Sequence, residues 1–182
     1  MKVFSTAIPD VKVIEPDCYM DARGFFFESF NAQRYATEAG IKAEFVQDNH
    51  SSSARGVLRG LHYQLHHPQG KLVRVVTGAV FDVAVDLRQG AATFARWVGI
   101  ELSAENRHQL WIPPGFAHGF MVLSESCDFL YKATDYYRPE DEHCVAWNDA
   151  ELAIEWPLQG INLAVSARDS AGLRFSAAAH YP

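Results

Sequence analysis

Apolar residues in this chain come in short runs separated by turn-forming residues. From Glu44 onward the runs are Glu44–Gln47, Gly56–Tyr63, Lys71–Thr77, Ala79–Leu87, Arg96–Leu102, Gln109–Ile112, Gly119–Leu123 and Cys127–Ala133. Many short strands at this spacing predict an all-β sandwich or barrel. Upstream, Val11–Ile14, Cys18–Met20 and Phe25–Phe30 read as strands, with a turn at Asp21–Gly24. One helix is predicted over Ala32–Ala39, with Asn31 as its N-cap and Gly40 just past its end. Beyond Trp147 the pattern loosens: Ala150–Ile154 reads as a helical turn and the remainder as loop. No long repeat or low-complexity linker divides the chain, so a single domain over residues 1–182 is expected.

Strand alternation then assigns faces. In Ala79–Leu87 the odd positions are all apolar, while the even face carries Asp82 and Asp86. Lys71, Val73 and Val75 share a face, as do Phe129, Tyr131 and Ala133. In Gly56–Tyr63 strict alternation sets His62 with Leu58 and places Arg59 opposite. If both serve one pocket the strand must be irregular, and Gly60 is the natural place for a bulge. Buried polar groups are costly unless partnered or used, so Arg59, His62 and Lys71, if inward, form a candidate site.

Composition narrows the function classes. With 182 residues, 48% hydrophobic and 13% aromatic, the chain can bury a sizeable core. Its net charge of −6, with scattered lysines and arginines, argues against a general nucleic-acid or membrane surface. It leaves room for a local cationic pocket. Pro9 and Asp10 interrupt an N-terminus without an apolar leader, and no run is long enough to span a bilayer. Cys18, Cys127 and Cys144 lack CxxC spacing, which suits reduced thiols and a cytoplasmic location.

Two stretches carry chemistry. Pro113–His118 fits P-x-G-x2-H, while Gly56-x5-His62 and Lys71-x6-Gly78 fit the outer parts of a second pattern. Together they resemble the two motifs of the cupin superfamily, which implies a small jelly-roll β-barrel. Metal-binding cupins read G-x5-H-x-H-x3,4-E-x6-G. Here Gln64 stands at the second His position and Lys71 at the Glu position. A lysine cation would repel a divalent ion where a carboxylate would hold it. His66 and His67, just before Pro68, are expected to be solvent-exposed loop residues. The expectation is therefore a cupin fold without a catalytic metal.

Longer matches are more specific. They include Asp21-x-Arg23-Gly24-Phe25-Phe26-x-Glu28, Gln47-Asp48-Asn49-His50-Ser51, Leu58-Arg59-Gly60-Leu61-His62, Lys71-Leu72-Val73-Arg74, Val80–Asp86, Ile112–Phe120, Tyr131-Lys132-x3-Tyr136-Tyr137-x-Pro139 and Trp147-Asn148-Asp149. In this order, over about residues 1–170, the chain resembles the dTDP-4-dehydrorhamnose 3,5-epimerase family. The resemblance implies a dTDP-sugar substrate with a C4 ketone that acidifies the protons on C3 and C5. Such an enzyme needs a base, an acid on the opposite face and a stabiliser for the enolate. By resemblance His62 is the base, Asp169 orients it, Lys71 meets the enolate oxygen and Tyr131 is the acid. Arg59 and His118 would meet the diphosphate, and Tyr137 would stack on thymine. Gln47, Asn49, Glu142 and Arg168 match further substrate contacts, while Asp82 would support His118 or Lys71, or instead pair with a core arginine such as Arg74. Arg23 and Glu28 match positions that reach the nucleotide from a partner subunit, which implies a homodimer with residues 1–45 at its interface. The family uses no cofactor. A one-centre epimerase, a metal-dependent cupin and a non-enzymatic sugar-binding cupin stay open as alternatives.

Overall fold

The computed structural model describes residues 1–182. Its fourteen strands are β1 (Lys2–Ser5), β2 (Lys12–Glu15), β3 (Cys18–Asp21), β4 (Gly24–Phe27), β5 (Gln47–Ala54), β6 (Val57–Gln64), β7 (Lys71–Thr77), β8 (Ala79–Asp86), β9 (Trp97–Ser103), β10 (Gln109–Ile112), β11 (Phe116–Val122), β12 (Ser126–Ala133), β13 (Glu142–Cys144) and β14 (Ala164–Val165). Two short helices, α1 (Ala32–Glu38) and α2 (Ala167–Ser170), complete the regular α-structure. Helix α1 starts where Asn31 accepts a hydrogen bond from the Arg34 amide at 3.1 Å, and it ends before Gly40 at φ +70°.

The fold is all-β, as expected. One large sheet has the order β1-β2-β10-β7-β12-β5, the other large sheet β13-β6-β11-β8-β9 with β14 parallel to β6, and β3 and β4 form a separate two-stranded sheet. Strands β5, β7, β10 and β12 thus face β6, β8, β9 and β11, which is jelly-roll order. No hydrogen-bonded strand pair joins the two sheets, so the expected barrel is a pair of facing sheets. Between them lie Val73, Val75, Val80, Ala84, Leu110, Phe120 and Phe129.

A second apolar cluster lies behind the β6-bearing sheet. There Leu58, Leu61, Val83, Val85 and Met121 are covered by Leu152, Trp156, Phe175 and Tyr181 from the C-terminal segment. The tail read as loop is therefore a packed layer carrying β14 and α2. It also settles the faces of β8. The apolar odd positions Val83 and Val85 lie under the tail, while Asp82 shares the inward face with Val80 and Ala84. Burial on both faces explains why the acid-bearing side of this strand is not the solvent side.

Strand β5 went unread beyond Gln47 because QDNHSSSA has no large apolar residue. Its order comes from pairing along its whole length with β12, from Gln47↔Ala133 to Ala54↔Ser126. Its alternation is polar on both sides: Gln47, Asn49, Ser51 and Ser53 are covered, while Asp48, His50 and Ser52 are exposed.

The irregularity expected in β6 is present. His62 pairs with His118, but Arg59 pairs with Phe120, so the register shifts between them. Gly60 has φ +115°, and a Cβ there would stand 2.6 Å from Gly119 Cα and 2.7 Å from the His118 carbonyl oxygen. A Cβ on Gly119 would stand 2.6 Å from the Arg59 carbonyl oxygen. The two backbones therefore touch, and the extra residue brings Arg59 and His62 to the same cavity. Gly60→Ala is expected to lower unfolding free energy by about 2–4 kcal/mol, through a strained φ and an overpacked contact. Urea denaturation checks this, and a change below about 0.5 kcal/mol would refute the contact's importance.

Candidate active site

The bulge in β6 and the strands beside it build a cavity of about 160 Å³ between the sheets. Arg59 and His62 come from β6, Lys71 from β7, His118 from β11, Tyr131 from β12 and Ser51 from β5. Its apolar floor is Phe120 stacked on Phe129, with ring centroids 4.2 Å apart. A larger cavity of about 300 Å³ opens on the other face of the β7–β12 sheet, around Arg74, Gln109 and Lys132. It shares only Tyr131 with the first and contains neither His62 nor Lys71.

His62 and Asp169 are 107 residues apart in sequence, yet the imidazole Nε2 lies 2.5 Å from Asp169 Oδ1. Asp169 reaches it from α2, a single turn capped by Ser166, whose hydroxyl accepts from the Asp169 amide at 3.0 Å. Burial would raise the Asp169 carboxyl, but the hydrogen bond and charge of His62 hold it below the usual carboxylate range. Asp169 is thus a buried carboxylate that fixes the orientation of the ring.

Across the cavity Lys71 Nζ sits 5.9 Å from the Tyr131 ring centroid. Burial lowers the Lys71 ammonium to about 8, although Glu142 and Asp82 pull it back up. At neutral pH it therefore keeps its proton while remaining close to losing it. Burial pushes the Tyr131 phenol up, and the Glu142 charge adds to this, so the side chain stays a proton donor.

His118 and Asp82 form a second, deeper pair at 3.0 Å, both buried. Burial lowers His118 and raises Asp82, so the pair resists charge separation. Asp82 hydrogen-bonds to His118 and makes no ion pair with Arg74, the structural partner considered from sequence.

The remaining candidates fall into three groups. Arg59 donates from Nε and Nη2 to Ser53 Oγ at 3.1 and 3.0 Å. At the mouth, the Tyr137 hydroxyl donates to Glu142, Arg168 pairs with Glu142, and a Glu142 oxygen lies 3.9 Å from His62 Nδ1. Gln47 accepts from the Tyr137 amide at 2.9 Å and donates to Asn49 at 2.9 Å, which leaves the buried Asn49 Nδ2 without a partner. Arg23 and Glu28 are not brought into this cavity. Arg23 is 90% exposed on the β3–β4 turn and pairs with Asp21, while Glu28 pairs with Asn31 and Arg34 outside the site.

The positions that differ from a metal cupin have other uses. Gln64 is buried, donates to the His67 and Tyr136 carbonyls, and accepts from the Arg138 amide. It holds a turn together, with both amide N–H groups and its carbonyl oxygen engaged by backbone. His66 is exposed, as expected, and His67 is partly covered; Asp141 accepts from both backbone amides. Ser51, Ser53, Phe120 and Phe129 were not singled out from sequence. The two serines could have been found from the period-two spacing of Gln47, Asn49, Ser51 and Ser53.

Residues 5–177 match the family model described as dTDP-4-dehydrorhamnose 3,5-epimerase. The chain belongs to that family. A Pseudomonas aeruginosa dTDP-4-dehydrorhamnose 3,5-epimerase is 58% identical over 182 residues, covering 100% of both chains. The crystal structure of a Legionella pneumophila dTDP-6-deoxy-D-glucose-3,5-epimerase, in complex with dTDP-4-keto-L-rhamnose, is 54% identical with TM-score 0.94, covering 97% of this chain and 93% of that one. A 3′-monoepimerase from Streptomyces bikiniensis in complex with dTDP-quinovose is 30% identical with TM-score 0.87, covering 94% and 87%. Within the dTDP-4-dehydrorhamnose 3,5-epimerase family, then, this chain keeps an ammonium, a phenol and an imidazole–carboxylate pair around one cavity.

Keeping an ammonium there costs stability. Lys71→Met is expected to raise unfolding free energy by about 2 kcal/mol near pH 7, after discounting for partial exposure. The folded-state value is lowered below the unfolded one, so between about pH 8 and the ordinary lysine range the unfolded chain holds the extra proton. Stability therefore rises with pH across that window in the wild type, and the rise disappears in Lys71→Met. Urea denaturation at several pH values reads both effects, and identical pH profiles for the two proteins would refute the burial of this charge.

Proposed function

We propose that this chain is a dTDP-4-dehydrorhamnose 3,5-epimerase, converting dTDP-4-keto-6-deoxy-D-glucose to dTDP-4-keto-L-rhamnose. The observation that carries the mechanism is the His62–Asp169 pair at 2.5 Å, facing a cavity that also holds Lys71 and Tyr131. Its other support is the family membership and the dTDP-4-keto-L-rhamnose bound in the Legionella pneumophila relative.

The substrate's C4 ketone makes the C3 and C5 protons acidic. His62 removes one, and Asp169 stabilises the imidazolium that results. The electron pair of the broken C–H bond moves onto the C4 oxygen, giving an enolate. The Lys71 ammonium, kept in a low-dielectric pocket, donates to that oxygen. Tyr131 returns a proton to carbon on the opposite face, which inverts the centre, and the phenolate recovers its proton afterwards. Repetition at the second carbon completes the double epimerisation. No step calls on a metal or cofactor.

The cavity is sized for a sugar ring, so the nucleotide extends over the mouth. Arg59 and His118, from the cavity lining, meet the diphosphate where it leaves the sugar, and planar guanidinium donors suit phosphate oxygens. Tyr137 stacks on the thymine, with Gln47, Asn49, Glu142 and Arg168 as polar contacts. In this reading Asp82 supports His118 from below.

The protein works as a homodimer. Tyr19, Met20, Phe25 and Phe26 of the β3–β4 hairpin are 57–71% exposed, an apolar surface suited to a second copy. Packing it there would carry Arg23 and Glu28 toward the partner's nucleotide. No helix is long and apolar enough to cross a membrane. The three cysteines are free, which supports a reducing, cytoplasmic setting.

Incubation with dTDP-4-keto-6-deoxy-D-glucose in heavy water, followed by NMR of the ring positions, tests the reading. Deuterium is expected at both C3 and C5, and label at one carbon alone would make this a one-centre epimerase. His62→Ala should cut exchange at both carbons by about 10²–10⁴-fold. Tyr131→Phe should retain some exchange and lose net inversion, above all at C5; a wild-type rate in this variant would remove Tyr131 as the acid. Activity should also decline along an alkaline limb near pH 8, as Lys71 loses its proton. A flat profile through pH 9 would remove Lys71 from that role.

A further inference from the structure

Beside the base lies a group the proposed reaction does not use. Cys144 on β13 sits directly across from His62 on β6, so the two side chains project from the same side of the sheet. A ring nitrogen of His62, the Cys144 sulfur and an Asp169 carboxylate oxygen all lie within 4.8 Å of one another. Asp169 is buried, and the other two are partly exposed. Imidazole, thiolate and carboxylate are together the donor set of a thiophilic divalent ion, with bonds of about 2.0–2.3 Å. One thiolate and one carboxylate also balance a +2 charge when the imidazole is neutral. Arg168, the cation facing Cys144 from α2, is already paired with Glu142.

We infer that His62, Cys144 and Asp169 form a binding site for a soft divalent cation such as Zn²⁺, and that filling it switches the enzyme off. Binding exchanges the thiol proton for the metal: one S–H bond breaks, one S–metal bond forms, and one proton leaves to solvent. The carboxylate that orients the imidazole becomes a metal ligand, and so does an imidazole nitrogen. The base then has neither its partner nor a free electron pair for carbon acids. Magnesium, which prefers oxygen and keeps its waters, should not compete. The site is distinct from a cupin metal cage, because it uses neither position held here by Gln64 and Lys71. The inhibition, though not the binding, rests on the proposed role of His62.

Two measurements test the inference. In the first, Cd²⁺ is titrated into substrate-free protein while the ultraviolet thiolate-to-cadmium charge-transfer band is followed. Wild type should show a saturating band that EDTA removes, and Cys144→Ala and Cys144→Ser should lose it. No band, or one that persists in both variants and so belongs to another thiol, overturns the site. This arm needs no catalysis, so it stands apart from the epimerase reading. In the second, Zn²⁺ and Mg²⁺ are titrated into the deuterium-exchange assay. Zn²⁺ should inhibit wild type reversibly, and the inhibitory concentration should rise about tenfold or more in both variants. Their metal-free exchange should stay within about twofold of wild type. A band dependent on Cys144 without inhibition would remove His62 from the ligand set, and equal inhibition of all three proteins would place the effective ion elsewhere.

Discussion

Everything at the site follows from two strands that touch through glycine. Where β6 crosses β11, Gly60 and Gly119 bring their backbones closer than any side chain permits. The resulting one-residue shift turns Arg59 inward beside His62, which regular alternation would forbid. The imidazole of His62 and the guanidinium of Arg59 thus share one cavity wall because of a packing irregularity held in place by its neighbours. Bulges commonly occur beside active sites for this reason: they re-aim a side chain without altering the rest of the sheet.

Most of the titratable groups around the cavity are matched by a neighbour. Asp169 answers His62, Asp82 answers His118, and Glu142 is held by Arg168 and Tyr137. Lys71 makes no ion pair, and burial weakens its hold on its proton. A buried ammonium with no carboxylate partner is unfavourable in a resting protein, and in the proposed reaction it is the group that meets the negative charge of the enolate. Stability given up at such a position is a common signature of a functional site.

Much of this was readable in the chain. The runs Lys71–Thr77 and Gln109–Ile112 match their strands to the residue, since both are short, mostly apolar runs with clear ends. The expectation of an irregular β6 came from asking how Arg59 and His62 could meet. What escaped notice lacked an apolar signal. Strand β5 is polar on both sides and is ordered by β12. Strands β13 and β14 are three and two residues long, and α2 is a single turn. Asp169 was assigned by resemblance; no local pattern reveals that it lies against a histidine so far upstream. Arg23 and Glu28, placed near the nucleotide by resemblance, lie outside the cavity of their own chain.

Asp169 also sets a condition on when the molecule becomes reactive. The jelly-roll strands end with β12, but the carboxylate that arms His62 comes from the layer packed behind β6, late in the chain. In chain order, the strands that frame the cavity, β5 to β12, all precede the carboxylate that meets the imidazole. Only after the last segment docks its Leu152, Trp156, Phe175 and Tyr181 does the base acquire its partner. The contact between His62 and Asp169 therefore joins the β6-bearing sheet to the layer packed behind it, and the pair is complete only when the end of the chain is in place.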